Sequence, residues 1–369
     1  MNPASRNALV AEVHRLVRLR GGRLPFDQFL ELVMYHPTLG YYGRKNIFGR
    51  DGDYQTAPRV HPIFGWTVAK VIEEEWRRQG RPDGFTILEL GPGECHLMRS
   101  VLNYLVNERG FDLGGWRIML LDRFPRRYAL TTPDGMRKPR WLSSLKQGRP
   151  FNGVMIANEL LDAIPFHRLT IQEGRWKELY VGEDDASDDL TWVVGPLSGA
   201  HLADGLGKDI PEGTTIEVAA GLHPLFRDLA GVLAEGIAIF LDYGDTRENL
   251  LLRHPEGTLQ TFSQHSAGID PFLDLGSRDI TAWVDFTRVM DETKKAGFVT
   301  EEFLTQAEAL YRWGIQDIVL EATRKGGEVE GVKAHLASKT FLFSYTNHHA
   351  LKLRRFRRAR AAPLRSLTR

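Results

Sequence analysis

Apolar positions along the chain follow two periods. Near-continuous apolar runs at 86–90, 116–121, 153–157 and 237–241 have the length of strands buried on both faces. Apolar residues three and four apart predict helices at 4–18, 25–35, 60–79, 95–108, 222–235 and 284–296. Across residues 85–163 strand and helix alternate, which implies a mostly parallel sheet covered by helices. A hairpin is expected at 167–181, turning at Glu173-Gly174 and inserted beyond the sheet. Residues 245–282 are loop-rich. A strand at 298–303, two helical stretches and a last strand near 340–345 complete the pattern. The chain then divides into three regions: a helical N-terminal extension over 1–80 with a glycine-rich loop near 40–57, a core over 81–350 with insertions at about 166–215 and 245–282, and a tail over 351–369.

Composition changes this picture little. The chain has 369 residues, 42% hydrophobic and 26% charged, which is ordinary for a folded α/β protein. The formal net charge of +1 gives no global bias toward nucleic acid or membrane, and no apolar run is long enough to span a bilayer. Charge is unevenly placed: an acidic knot at 183–189 reads as an exposed loop. The eight basic residues and no acid from Lys352 to Arg369 read as a solvated end. A single cysteine, Cys95, excludes an internal disulfide and a multi-cysteine metal site. The histidines lack metal-ligand spacing, so no metal is expected. With no signal peptide in view, a reducing, cytoplasmic location is expected.

The candidate chemistry begins at Glu89-Leu90-Gly91-Pro92-Gly93-Glu94, where a buried strand ends in an acid before a glycine turn and a helix. Gly91 and Gly93 let a ligand lie against the main chain. A carboxylate at Glu89 repels a pyrophosphate and suits a cationic amine and sulfonium, which favours S-adenosylmethionine over a dinucleotide or a triphosphate. The dinucleotide fingerprint also fails at its third glycine, which is His96 here. Asp122 ends the next strand, placed to accept two hydrogen bonds from a ribose diol or to cap the next helix.

Seven ordered motifs resemble the MidA family of S-adenosylmethionine-dependent methyltransferases over about residues 20–310. They are Leu24-Pro25-Phe26 to Gly40-Tyr41-Tyr42; Gly52-Asp53-Tyr54-Gln55-Thr56-Ala57-Pro58; Glu89 to Gly93; Ala157-Asn158-Glu159-Leu160-Leu161-Asp162-Ala163-Ile164-Pro165; Asp242-Tyr243-Gly244; Gly257-Thr258-Leu259 with His265; and Asp279-Ile280-Thr281-Ala282-Trp283-Val284-Asp285-Phe286. Cys95 and His96 stand where the family carries a glycine and a small hydroxyl residue. Ser338-Lys339-Thr340-Phe341-Leu342 stands where it carries a C-terminal Met-Gly-Glu block. The resemblance implies a class I (Rossmann-like) methyltransferase fold with a seven-stranded, mostly parallel sheet. It also implies that the loop bearing Asp53 and Thr56 folds over the cofactor. Mitochondrial members of the family are complex I assembly factors that methylate an arginine of a partner subunit, so a protein partner of that type is implied.

Asn158, Glu159 and Asp162 come just after the 153–157 strand, where open α/β sheets place ligands. The segment is similar to the acid-bearing loop of symmetric protein arginine methyltransferases. On a helical turn Glu159 and Asp162 would share a face and could clamp a guanidinium; the plainer reading is a helix cap. Asp242 and Tyr243 could line the acceptor side. The leading function is arginine methylation. A small-molecule methyltransferase and a non-catalytic assembly factor that kept the fold are the rivals.

Overall fold

The computed structural model describes residues 3–43, 57–124, 129–184, 186–187, 189–207, 209–263 and 266–356. Seven strands form the main sheet: β1 (Thr86–Leu90), β2 (Arg117–Leu121), β3 (Arg140–Leu142), β4 (Phe151–Asn158), β5 (Leu233–Asp245), β6 (Val299–Thr305) and β7 (His348–Arg355). Their order across the sheet is β3-β2-β1-β4-β5-β7-β6, with a two-residue strand, Val284–Asp285, against the end of β5. All neighbours from β3 to β5 are parallel, and β7 runs antiparallel to both β5 and β6. Seven strands in a mostly parallel sheet match the fold that the family resemblance implies.

Every residue of β1 is buried, as its unbroken apolar run predicts for a central strand. Helices cover both faces. On one, α3 (Ile63–Arg78), α4 (His96–Asn103) and the long α7 (Ile315–Phe343) enclose Phe64, Val68, Ile87, Val101 and Phe341. On the other, α5 (Leu222–Val232) and α6 (Phe286–Lys295) pack Phe226, Leu229, Phe240 and Phe286 against the sheet. A third core joins α1 (Pro3–Leu19) and α2 (Phe26–Tyr35) to the insertions. The expected hairpin is present as His167–Gln172 and Arg175–Glu183. It belongs to a five-stranded sheet that also holds Leu24–Pro25, Leu190–Gly195 and Thr215–Val218. The loop-rich region contains a small sheet centred on Gln260–Ser263. No helix among the described residues is long and apolar enough to cross a membrane.

Three expectations need correction. The last strand is not near 340–345. That apolar stretch ends α7, where Ala334, Ala337 and Phe341 bury one face at helical spacing, and the strand comes after it at His348–Arg355. A tail beginning at 351 therefore cuts into the sheet. Leu351 and Leu353 are fully buried, and the arginines beside them are paired: Arg354 Nη1 lies 3.0 Å from Glu75 Oε2. The helix expected from Cys95 starts at His96, because Cys95 has a left-handed backbone with φ of 61°. Its last turn, Tyr104–Glu108, is a π-helix.

Candidate functional site

A cavity of about 830 Å³ opens over the carboxyl ends of β1, β2, β4 and β5, where parallel sheets of this kind bind ligands. Glu89, Gly91, Gly93, Asp122, Asn158, Glu159, Asp162 and Tyr243, all singled out in the sequence, line it. Asp53, Thr56 and His265 lie outside the described residues.

One end is built from the turns after β1 and β2. Gly91 and Gly93 have φ of 63° and 47°, in the region that favours glycine. A Cβ on Gly91 would come within 2.9 Å of Leu160 Cδ1, so the turn is also tightly packed. Glu89 is 3% exposed, and its Oε2 has no hydrogen-bond partner. Burial drives its carboxyl pKa up to about 8, against a bond from the backbone of Met98. A buried carboxyl with one unmatched oxygen beside a cavity suits a cationic ligand group once it has lost its proton. Asp122 Oδ1 accepts from the Phe124 amide at 2.7 Å in a local turn, with no helix directly following it among the described residues, and the residue lines the cavity. Cys95 is buried, which pushes its thiol up to about 12 and argues against a reactive thiolate.

The neighbouring wall is built around residues 158–162, beside the glycine turn. No helical turn forms there, so Glu159 and Asp162 do not share a helix face. Instead Glu159 has φ of 51°, and its amide donates to Leu241 O at 2.8 Å. Buried Asp242 then fastens the turn, accepting from the amides of Leu160 and Leu161 at 3.0 and 2.7 Å. Asp242 thus holds the loop rather than lining the cavity. Tyr243 does line it, and its hydroxyl donates to Asp162 Oδ2 at 2.6 Å. Thr281 Oγ1 lies 3.2 Å from the same oxygen. Asp162 Oδ1 is buried without a partner, and desolvation raises the carboxyl to about 6 despite the Tyr243 and Thr281 bonds.

Sequence reasoning assigned no role to several residues in this wall. Tyr42 donates to Asp279 at 3.2 Å, Thr281 joins the Asp162 network, and His348 Nε2 lies 3.8 Å from Glu159 Oε1. Tyr42, Asp279 and Thr281 fall inside the family motifs and could have been flagged there; His348 has no local signal. Asp285, also in a motif, caps α6 and pairs with Arg247 at 2.8 Å. Among the described residues no cluster of three or more His, Cys, Asp or Glu could hold a metal ion.

The sheet order and this cavity define an S-adenosylmethionine-dependent methyltransferase of class I. The chain belongs to the family described as "Putative S-adenosyl-L-methionine-dependent methyltransferase", whose profile matches residues 67–304. It is 28% identical over 310 residues to "Protein arginine methyltransferase NDUFAF7 homolog, mitochondrial" of Drosophila melanogaster, covering 76% of this chain and 69% of that protein. The Mus musculus "Protein arginine methyltransferase NDUFAF7, mitochondrial" is 25% identical over 315 residues, covering 77% and 70%. A superfamily member from Burkholderia thailandensis, crystallised bound to S-adenosyl-homocysteine, superposes with a TM-score of 0.83 at 28% identity, covering 96% of this chain and 94% of that one. The expectation of a cytoplasmic location is overturned by these relatives, which are named mitochondrial. A single cysteine reports on redox state and does not separate reducing compartments from one another.

Proposed function

We propose that the protein transfers the methyl group of S-adenosylmethionine to an arginine side chain of a partner protein. The observation that carries this is the pair of carboxylates, Glu159 and Asp162, in the loop after β4, which lines the same cavity as Glu89 and the glycine turn. A guanidinium stays protonated, so it needs carboxylates to orient and partly neutralise it. The relatives named as protein arginine methyltransferases support the same acceptor. By the family resemblance, a subunit of respiratory complex I is the type of partner.

S-adenosylmethionine supplies a methyl group already activated on a sulfonium. On this reading Glu89 faces its cationic end, Gly91 and Gly93 admit it to the backbone, and Asp122 accepts from its ribose, with Asp53 and Thr56 covering it. Asn158, Glu159 and Asp162 hold the acceptor, and Asp242 and Tyr243 keep their loop in place. Incubation with isotope-labelled donor, an arginine peptide library and a metabolite extract tests this. Label on peptide arginine is the expected result; label confined to small molecules would overturn it.

Two substitutions probe the cofactor end. Gly93→Val should abolish S-adenosylhomocysteine binding, because a branched side chain is strained at positive φ and fills the approach to the turn. Asp122→Ala should weaken it by about 1–3 kcal/mol. Calorimetry on the folded variants reads both, and unchanged affinity in the two would sink the assignment.

The same end should respond to pH. Glu89 has a folded pKa of about 8, so it carries a proton at neutral pH and must lose it to face a cation. S-adenosylmethionine affinity should therefore rise with pH, by up to ~10-fold per unit, and level off above about 8. Glu89→Gln should flatten that dependence. A wild-type affinity indifferent to pH would refute the pairing.

A further inference from the structure

We propose that His348 takes up the proton released by methyl transfer, through Glu159. The inference rests on the acceptor reading above and assigns a residue which that reading left without a part. His348 opens β7 and lines the cavity. Its Nε2 stands 3.8 Å from Glu159 Oε1, a gap that one small shift or one water closes. Its Nδ1 is buried with no partner. The ring is held from two sides, edge-on against Tyr345 at 4.8 Å and tilted against Tyr243 at 5.5 Å. Among the described residues, the charged and titratable groups around it are Glu159 and Asp162 from the loop after β4, Tyr243 from β5, Tyr345 from the preceding turn, and His349 on its own strand.

The chemistry requires such a group. The acceptor nitrogen forms a bond to the methyl carbon as the carbon–sulfur bond breaks, leaving its electron pair on sulfur. A protonated guanidinium then remains a singly charged methylguanidinium only if one N–H proton departs. Glu159 is placed to receive it but must return to its charged form to hold the next cation. An imidazole beside it can accept that proton at one ring nitrogen and pass it on. His348 therefore acts through Glu159 as a positioning and relay residue. Simple packing between two tyrosines would give it the same location but no influence on proton transfer.

Two measurements on the full chain separate these roles. The first is an NMR titration of the His348 imidazole with S-adenosylhomocysteine bound, in wild type and in Glu159→Gln. Removing the carboxylate should lower the imidazole pKa by about one unit; an unmoved titration would overturn the coupling. The second is single-turnover methyl transfer against pH. His348→Gln should lose the rising limb of the wild-type profile and slow by about 10²-fold, with S-adenosylhomocysteine affinity unchanged. A variant with the wild-type profile would overturn the relay. The NMR arm needs no acceptor, and the rate arm runs on whichever nitrogen or oxygen acceptor is labelled. Failure of the arginine reading would thus be seen separately from failure of the relay.

Discussion

Deletion of everything after Ala350 is expected to leave a chain that no longer unfolds cooperatively. The cut removes most of β7, which lies between β5 and β6 and pairs with both along its length. Leu351 and Leu353 are fully buried; truncating a buried leucine to alanine alone costs about 2–5 kcal/mol. Arg355 also goes, and with it bonds from its Nε to Leu233 O at 3.0 Å and from Nη1 to Ala296 O at 2.9 Å. Those bonds tie the start of β5 and the end of α6 to the same strand. A domain has a net stability of only about 5–15 kcal/mol, so two leucines and a strand's worth of backbone bonds exceed it. Leu353→Ala should stay folded with a clearly lower melting temperature. Circular dichroism melts of both proteins give the answer. A truncated chain melting like wild type would show that β7 adds nothing to the fold.

The same strand shows where sequence reading runs out. Lys352, Arg354 and Arg355 look like a solvated basic end because their partners are remote: Glu75 and Glu301 for Arg354, Glu302 for Lys352. The alternation of Leu351 and Leu353 with those charges was a strand signal, but a short one beside a stronger apolar run at 341–343. Helix and strand are hard to separate in such short runs. By contrast β1 was placed to the residue, since an unbroken apolar stretch ending in an acid and two glycines has few alternatives. The cavity residues on the first, second and fourth strands were legible for the same reason: topology puts strand ends together whatever the loops beyond them do. The shape of the Glu159 turn was not. A helical turn was the local expectation, and it is overruled by Asp242, whose carboxylate takes the Leu160 and Leu161 amides from 82 and 81 residues away. No window of sequence around 159 contains that information. His348 entered the site by the same kind of long-range pairing, opposite Tyr243 in the antiparallel register.

Glu159→Gln is expected to lower the methyl-transfer turnover by a factor of at least ~10², because a charge-assisted hydrogen bond aimed at a reacting group in a water-excluded site is worth a few kcal/mol. The substitution keeps the shape and removes the charge. The backbone is strained at this position: a left-handed φ of 51° at a non-glycine residue costs about 1–3 kcal/mol, and the surrounding Leu241 and Asp242 bonds hold it. Asp162→Asn should lose less, since one of its oxygens is already committed to Tyr243 and Thr281 and only Oδ1 remains for an acceptor. Asp162 should also leave a mark on the pH profile. Burial raises Asp162 to about 6, so its charge is present above that value and is lost as pH falls through it. Any help it gives a cation therefore fades on the acid side, and Asp162→Asn should differ least from wild type there. S-adenosylhomocysteine affinity should barely move in either variant, as both substitutions keep the side-chain shape. Single-turnover transfer to the identified acceptor, with calorimetry alongside, reads all of this. Full activity in Glu159→Gln would remove the guanidinium clamp, and a small-molecule acceptor with its own proton acceptor would then be the better account of the cavity.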